Sequence, residues 1–164
     1  MFSALSVVSL YFASLWPTGQ LGFAAFSSLF VTAAIIEMRI TQGVYIFIIS
    51  AALGMLILPD KTAPLLYILF FGYYPIVKNL AEKNNSKALQ WVIKLAVFNA
   101  SLTVIWFFLK ELFFNFSASI PGILILYLCG NLVFVIYDFG YSKLIRYYIS
   151  RISIYTGGRK RHGK

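Results

Sequence analysis

Turn-forming residues cut the first 142 positions of this chain into six long apolar stretches, and no soluble core of this size could hold them all. The stretches run from Phe2 to Trp16, Leu21 to Met38, Val44 to Leu58, Pro64 to Leu80, Ala88 to Leu112 and Ile120 to Ser142. Between them stand Pro17-Thr18-Gly19, Arg39 to Gly43, Pro59-Asp60-Lys61 and the polar segment Ala81 to Lys87. A helix crosses the hydrocarbon with about 20 apolar residues, usually about 17 to 25, and these stretches cluster around that length. The first is short and calls for close packing or local bilayer thinning. Helices close their own backbone hydrogen bonds, which lipid demands. The stretches lack the strict alternation of barrel strands. Composition agrees: 60% of residues are hydrophobic and only 12% charged, whereas a soluble domain is about half apolar and roughly a quarter charged.

The basic residues orient the bundle. With the N-terminus inside, Arg39, Lys78, Lys83, Lys87, Lys94, Lys143, Arg146, Arg151, Arg159, Lys160, Arg161 and Lys164 fall on the cytoplasmic side, against only Lys61 and Lys110 outside. That asymmetry is the positive-inside pattern, and it needs an even number of spans. The expected fold is therefore an all-α, polytopic membrane protein of about six transmembrane helices, with both termini cytoplasmic. Residues 1–142 form the transmembrane domain and 143–164 a basic tail. The start of the tail alternates Lys143, Arg146 and Arg151 with Leu144, Tyr147, Ile149 and Ile152, as an interfacial helix on anionic lipid would. The net charge of +9 is read as this anchoring, with no nucleic acid expected. Met1-Phe2-Ser3-Ala4 carries no basic n-region, so the first stretch reads as a retained helix rather than a signal peptide.

Charged groups at membrane depth are costly and ask for a reason. Glu37, Lys78, Lys94 and Asp138 all fall at the cytoplasmic boundary of their stretches, where the pairings Glu37–Lys78 and Lys94–Asp138 would neutralise them. Two or three turns deeper lie Asn99 and Asn131, and Asn131 shares a helix face with Asp138. Asn99 sits within Ala96-x-x-x-Ala100, a spacing that lets backbones approach. The fifth and sixth helices are expected to pack along this seam, bridged by the asparagines. Ser9 with Ala13 and Ser50 with Gly54 mark further contacts, and Pro75 is expected to kink the fourth helix near its inner end. On the outer side, Trp16, Thr18, Gln20, Asp60, Lys61, Tyr67 and Trp106 are the candidate substrate-binding residues. Tyr67 and Trp106 read either as an interfacial aromatic belt or as the lining of a pocket. Lys110, Glu111 and Asn115 belong to the same outer face.

Catalytic chemistry finds little to work with. There is no Ser-His-Asp set, zinc motif or P-loop. His162 is the only histidine and Cys129 the only cysteine, so no metal or cofactor is expected and the chain does not read as an enzyme.

Six short helices with both termini inside resemble the S component of energy-coupling-factor transporters, the substrate-capturing membrane subunit. The resemblance spans Phe2 to Ser142 at the level of architecture. Where that family often carries Ala-x-x-x-Ala in its first helix, this chain has Ser9-Leu10-Tyr11-Phe12-Ala13. The resemblance implies capture of a small solute near the outer loops Trp16 to Gln20 and Pro59 to Ala63. It also implies docking on a transmembrane coupling subunit with ATPases, in a bacterial inner membrane. The rival expectation is a non-catalytic scaffold, of the kind found in cell-shape and envelope machinery, using the basic tail and inner boundary for partner contacts.

Overall fold

The computed structural model describes the backbone of residues 1–113 and 120–159 and the side chains of 1–16, 18–107 and 124–150. The side chains of Lys110, Glu111 and Asn115, and those of the tail from Arg151 onward, lie outside the described residues. All regular structure among the described residues is helical. In chain order it comprises α1 (Phe2–Leu15), a 3₁₀ turn (Pro17–Gly19), α2 (Gln20–Glu37), α3 (Ile40–Ile57), α4 (Thr62–Leu66), a π turn (Tyr67–Phe71), α5 (Tyr74–Ala81), α6 (Lys87–Phe113) and α7 (Ile120–Arg159). Among the described residues, four helical stretches are long and apolar enough to cross a membrane: Gln20–Glu37, Ile40–Ile57, Lys87–Phe107 and Leu124–Ser150. At about 1.5 Å per residue, the 14 residues of α1 fall short of a typical hydrocarbon thickness of about 30 Å.

Small residues decide how α1 and α2 meet. Ser6, Ser9 and Ala13 are buried on α1, facing Ala24 and Ser27 of α2. Ser9 Oγ donates to the Phe23 carbonyl at 3.0 Å and Ser6 Oγ to the Ser27 carbonyl at 3.3 Å. Backbones can come this close only where side chains are short. The Ser50–Gly54 pair works similarly on α3: Ser50 Oγ reaches the Ser3 carbonyl at 3.4 Å, and Gly54 faces Leu10 and Pro64. Both contacts expected from spacing are present.

The fourth apolar stretch is broken, and the break differs from the proline kink expected of Pro75. The irregularity begins earlier, where Gly72 N–H bonds the Tyr67 carbonyl at 2.7 Å, a five-residue step that widens the helix. A turn at Gly72 and Tyr73 then ends that helix, and α5 restarts with Pro75 in its first turn. A proline there has no intrahelical donor to lose. Gly72 is required by packing: a Cβ on it would lie 2.5 Å from the Phe47 ring and 2.8 Å from that of Tyr67.

Two cores result. Leu10, Ala24, Val31, Leu58 and Tyr67 unite α1, α2 and α3 with the start of the broken stretch. Phe70, Tyr74 and Phe134 unite the broken stretch with α7, packed by Phe98 of α6 and by Tyr137. The broken stretch thus joins an α1–α3 half to an α6–α7 half. At the far end, α7 runs on without interruption to Arg159, so the expected boundary at Ser142 falls inside one continuous helix.

Candidate functional site

Polar side chains gather in three layers along the bundle. The loop 16–19 and the loop 58–61 lie at one end, held together by Gln20 Nε2 donating to Asp60 Oδ2 at 2.6 Å. Asp60 Oδ1 also accepts the Thr62 backbone N–H at 3.0 Å, which starts α4. Lys61 turns back onto α3 and donates to the carbonyls of Met55 and Leu58 at 2.7 and 2.6 Å. A cation placed on the carbonyl-rich end of a helix is a favourable cap. Of the outer residues singled out from sequence, Gln20, Asp60 and Lys61 are therefore engaged within the chain, Trp16 and Thr18 are exposed, and Trp106 is half-buried. Tyr67 belongs to neither an interfacial belt nor a pocket rim. It is fully buried, and its hydroxyl accepts from Ser6 Oγ at 3.4 Å, because the π turn rolls its ring into the α1–α3 core.

A middle layer of hydroxyls ties α2 to α7. Tyr141 Oη meets Thr32 Oγ1 at 2.5 Å and donates to the Ser28 carbonyl at 3.0 Å. Ser28 Oγ lies 3.3 Å from Tyr137 Oη. Across the α6–α7 seam, Asn99 and Asn131 exchange amide hydrogen bonds at 3.0 and 3.1 Å. Each also donates its second hydrogen to a carbonyl one turn back, at 2.8 Å. Both amides are thus satisfied, as the predicted seam requires.

The other end, beside the loop 82–86, carries a four-charge cluster. Lys78 contacts Asp138 Oδ1 at 2.5 Å and Glu82 Oε1 at 2.8 Å. Lys94 contacts Glu82 Oε1 at 2.8 Å and Asp138 Oδ2 at 3.1 Å. Lys78 gives its third hydrogen to Ser142 Oγ at 2.8 Å, and Tyr74 Oη donates to Asp138 Oδ1 at 2.5 Å. The Lys78, Lys94 and Asp138 side chains are 5% exposed or less. Two ammonium and two carboxylate groups sum to zero, which lets charge persist in a place that would otherwise reject it. Burial pushes the Glu82 carboxyl up, but the bonds from Lys78 and Lys94 outweigh it and hold the group below its ordinary 4.5.

The cluster corrects one expected pairing. Lys94 does meet Asp138, whereas Glu37 is exposed and accepts from Tyr148 Oη at 2.5 Å instead of meeting Lys78. Lys78 takes Glu82, which belongs to the polar segment Ala81 to Lys87. Its signal was the four-residue spacing of Lys78 and Glu82, which places them on one helix face. Tyr74, Ser142 and Tyr148 had no such signal, since a phenol or serine beside an apolar run is unremarkable.

Between the Gln20–Asp60 end and the hydroxyl layer lies a cleft of about 420 Å³. Leu21, Gly22 and Ala25 of α2 form one side, and Phe70, Phe71, Phe98, Phe134 and Tyr137 an aromatic wall opposite. Phe98 and Phe134 stack at 4.5 Å, with Phe70 edge-on to Phe98 at 5.4 Å. Among the described residues, no charged side chain lines the cleft. Small-ligand sites commonly measure about 300–1,000 Å³ and are mainly apolar, and this cleft falls in that size range with a wholly apolar surface. Compared with known protein families, with curated proteins and with solved structures, the chain matches none.

Proposed function

We propose that this chain is a six-span membrane protein with both termini cytoplasmic, serving as a non-catalytic, solute-capturing subunit of the energy-coupling-factor type in a bacterial inner membrane. The observation that carries this reading is the cleft between α2 and the α6–α7 half. It lies toward the end where the chain has few basic residues, the outward end in the positive-inside orientation. In the six-span count, α1 and the broken stretch from Thr62 to Ala81 are the two spans added to the four long helices. The charge quartet then lies at the cytoplasmic boundary, beside Lys83 and Lys87. The continuation of α7, with exposed Lys143 and Arg146, rests against anionic lipid.

Two measurements test the reading. In a Cys129→Ala background, Thr18→Cys should react with a membrane-impermeant maleimide on intact cells, and Ser86→Cys only after permeabilisation; the reverse pattern overturns the topology. Native mass spectrometry of the protein purified gently from its own membranes should reveal a retained small molecule or a coupling subunit with ATPases. The rival scaffold draws support from Gln20, Asp60 and Lys61, whose polar groups are taken up inside the chain. A complex with envelope proteins lacking both solute and ATPases would establish the scaffold instead.

A further inference from the structure

We propose that the cleft takes an uncharged, flat, lipophilic molecule, an assignment of substrate class that rests on the solute-capture reading above. The geometry of the walls carries it. One side is made small by Gly22 and Ala25, and the other is a continuous face of rings, so the space between them is a slot. Gly22 is exposed, and a Cβ built on it meets no heavy atom within 4 Å, so the cleft is open on the α2 side at this level. Aromatic faces prefer offset or edge contact with another ring, and the slot offers Phe70, Phe71 and Tyr137 for it.

Charge is excluded by the same geometry. The buried ionic groups nearest in sequence to the lining, Lys94 and Asp138, are committed to the quartet. A charged solute would therefore lose its water without gaining a counterion, a large penalty in an apolar site. Among the described residues the lining presents no polar surface, because its two hydroxyl side chains, Ser101 and Tyr137, are engaged within the chain. Ser101 Oγ, on the α6 side, pairs with Tyr73 Oη at 2.5 Å and donates to the Val97 carbonyl at 2.7 Å. Tyr137 Oη marks the hydroxyl layer.

The test uses the full-length protein in lipid nanodiscs and two fluorescent probes, uncharged N-phenylnaphthylamine and the anionic anilinonaphthalene sulfonate. Wild type should give a saturable signal with the uncharged probe above that of empty nanodiscs, and none with the anion. Gly22→Phe fills the slot and should weaken that binding by about tenfold or more, with unchanged thermal unfolding in detergent. Leu128→Phe, at a position of α7 that is 65% exposed, should bind as wild type does. Equal signals from wild type and Gly22→Phe, or saturable binding of the anion, would overturn the assignment. Should Gly22→Phe unfold early, Ala25→Leu serves as the second filling variant under the same criteria. A chain that co-purifies with ATPases but ignores the uncharged probe refutes the substrate class alone. One that binds the probe in the slot but only ever purifies with envelope proteins refutes the importer reading and leaves the site standing.

Discussion

Replacing Asp138 by Asn turns a neutral quartet into one with net positive charge, in a place from which water is excluded. Asp138 holds Lys78 at 2.5 Å and Lys94 at 3.1 Å. After the change both ammonium groups depend on Glu82, whose side chain is 43% exposed. Removing one partner of a buried ion pair costs about 3–5 kcal/mol. The amide oxygen of Asn still accepts a hydrogen bond, which offsets about 1 kcal/mol. The expected net loss is about 2–4 kcal/mol. It would be read as the shift in unfolding midpoint when the protein, in mild detergent, is titrated with a denaturing one and followed by helical circular dichroism. Glu82→Gln is the internal control: that side chain is partly solvated, so its loss should cost about 1 kcal/mol or less. A double variant, Lys78→Met with Asp138→Leu, removes one charge of each sign and should recover much of the loss. An Asp138→Asn protein within about 0.5 kcal/mol of wild type, or one no weaker than Glu82→Gln, would refute the claim that a closed quartet locks α5, α6 and α7.

The remaining predictions use the same unfolding assay. Asn131→Leu breaks the reciprocal amide pair and should cost about 0.6 kcal/mol and no more than about 1.7, the range seen for hydrogen bonds between membrane helices; an unchanged midpoint would count against the α6–α7 latch. Gly72→Ala forces a methyl against Phe47 and Tyr67 and should lose about 1–3 kcal/mol, whereas Gly22→Ala, facing open space, should lose nothing measurable. Because Glu82 holds its proton less tightly when folded, its contribution is complete above pH 4.5 and is lost as pH falls through its lowered value. Wild type should therefore converge in stability on Glu82→Gln in acid, and a gap that widens on acidification would contradict that sign.

Much of the bundle could be read without coordinates because lipid makes local sequence decisive. A run of apolar residues in hydrocarbon has to close its own hydrogen bonds, so the turns at Pro17-Thr18-Gly19 and Pro59-Asp60-Lys61 were visible as interruptions. The Asn99–Asn131 latch was equally legible, since two amides at equal depth on neighbouring helices have few other partners. Tyr67 shows the limit of such reading. Its place near the loop 58–61 suggested a belt or pocket residue, but it is fully buried in the core, beside a Gly72 that leaves no room for a Cβ against Phe47 and Tyr67.

The amino-acid order alone determined that the described chain is helical and rich in membrane-length segments, because periodicity, hydropathy and helix breakers act over neighbouring residues. Only the tertiary structure decided which charges meet. Lys78 chose Glu82 and Asp138 over Glu37, since ion pairing in a dry site depends on distances of a few ångströms between separate helices. The cleft beside Gly22 is likewise a product of three dimensions: its lining is drawn from α2, the broken fourth stretch, α6 and α7, residues far apart in sequence that only packing brings together.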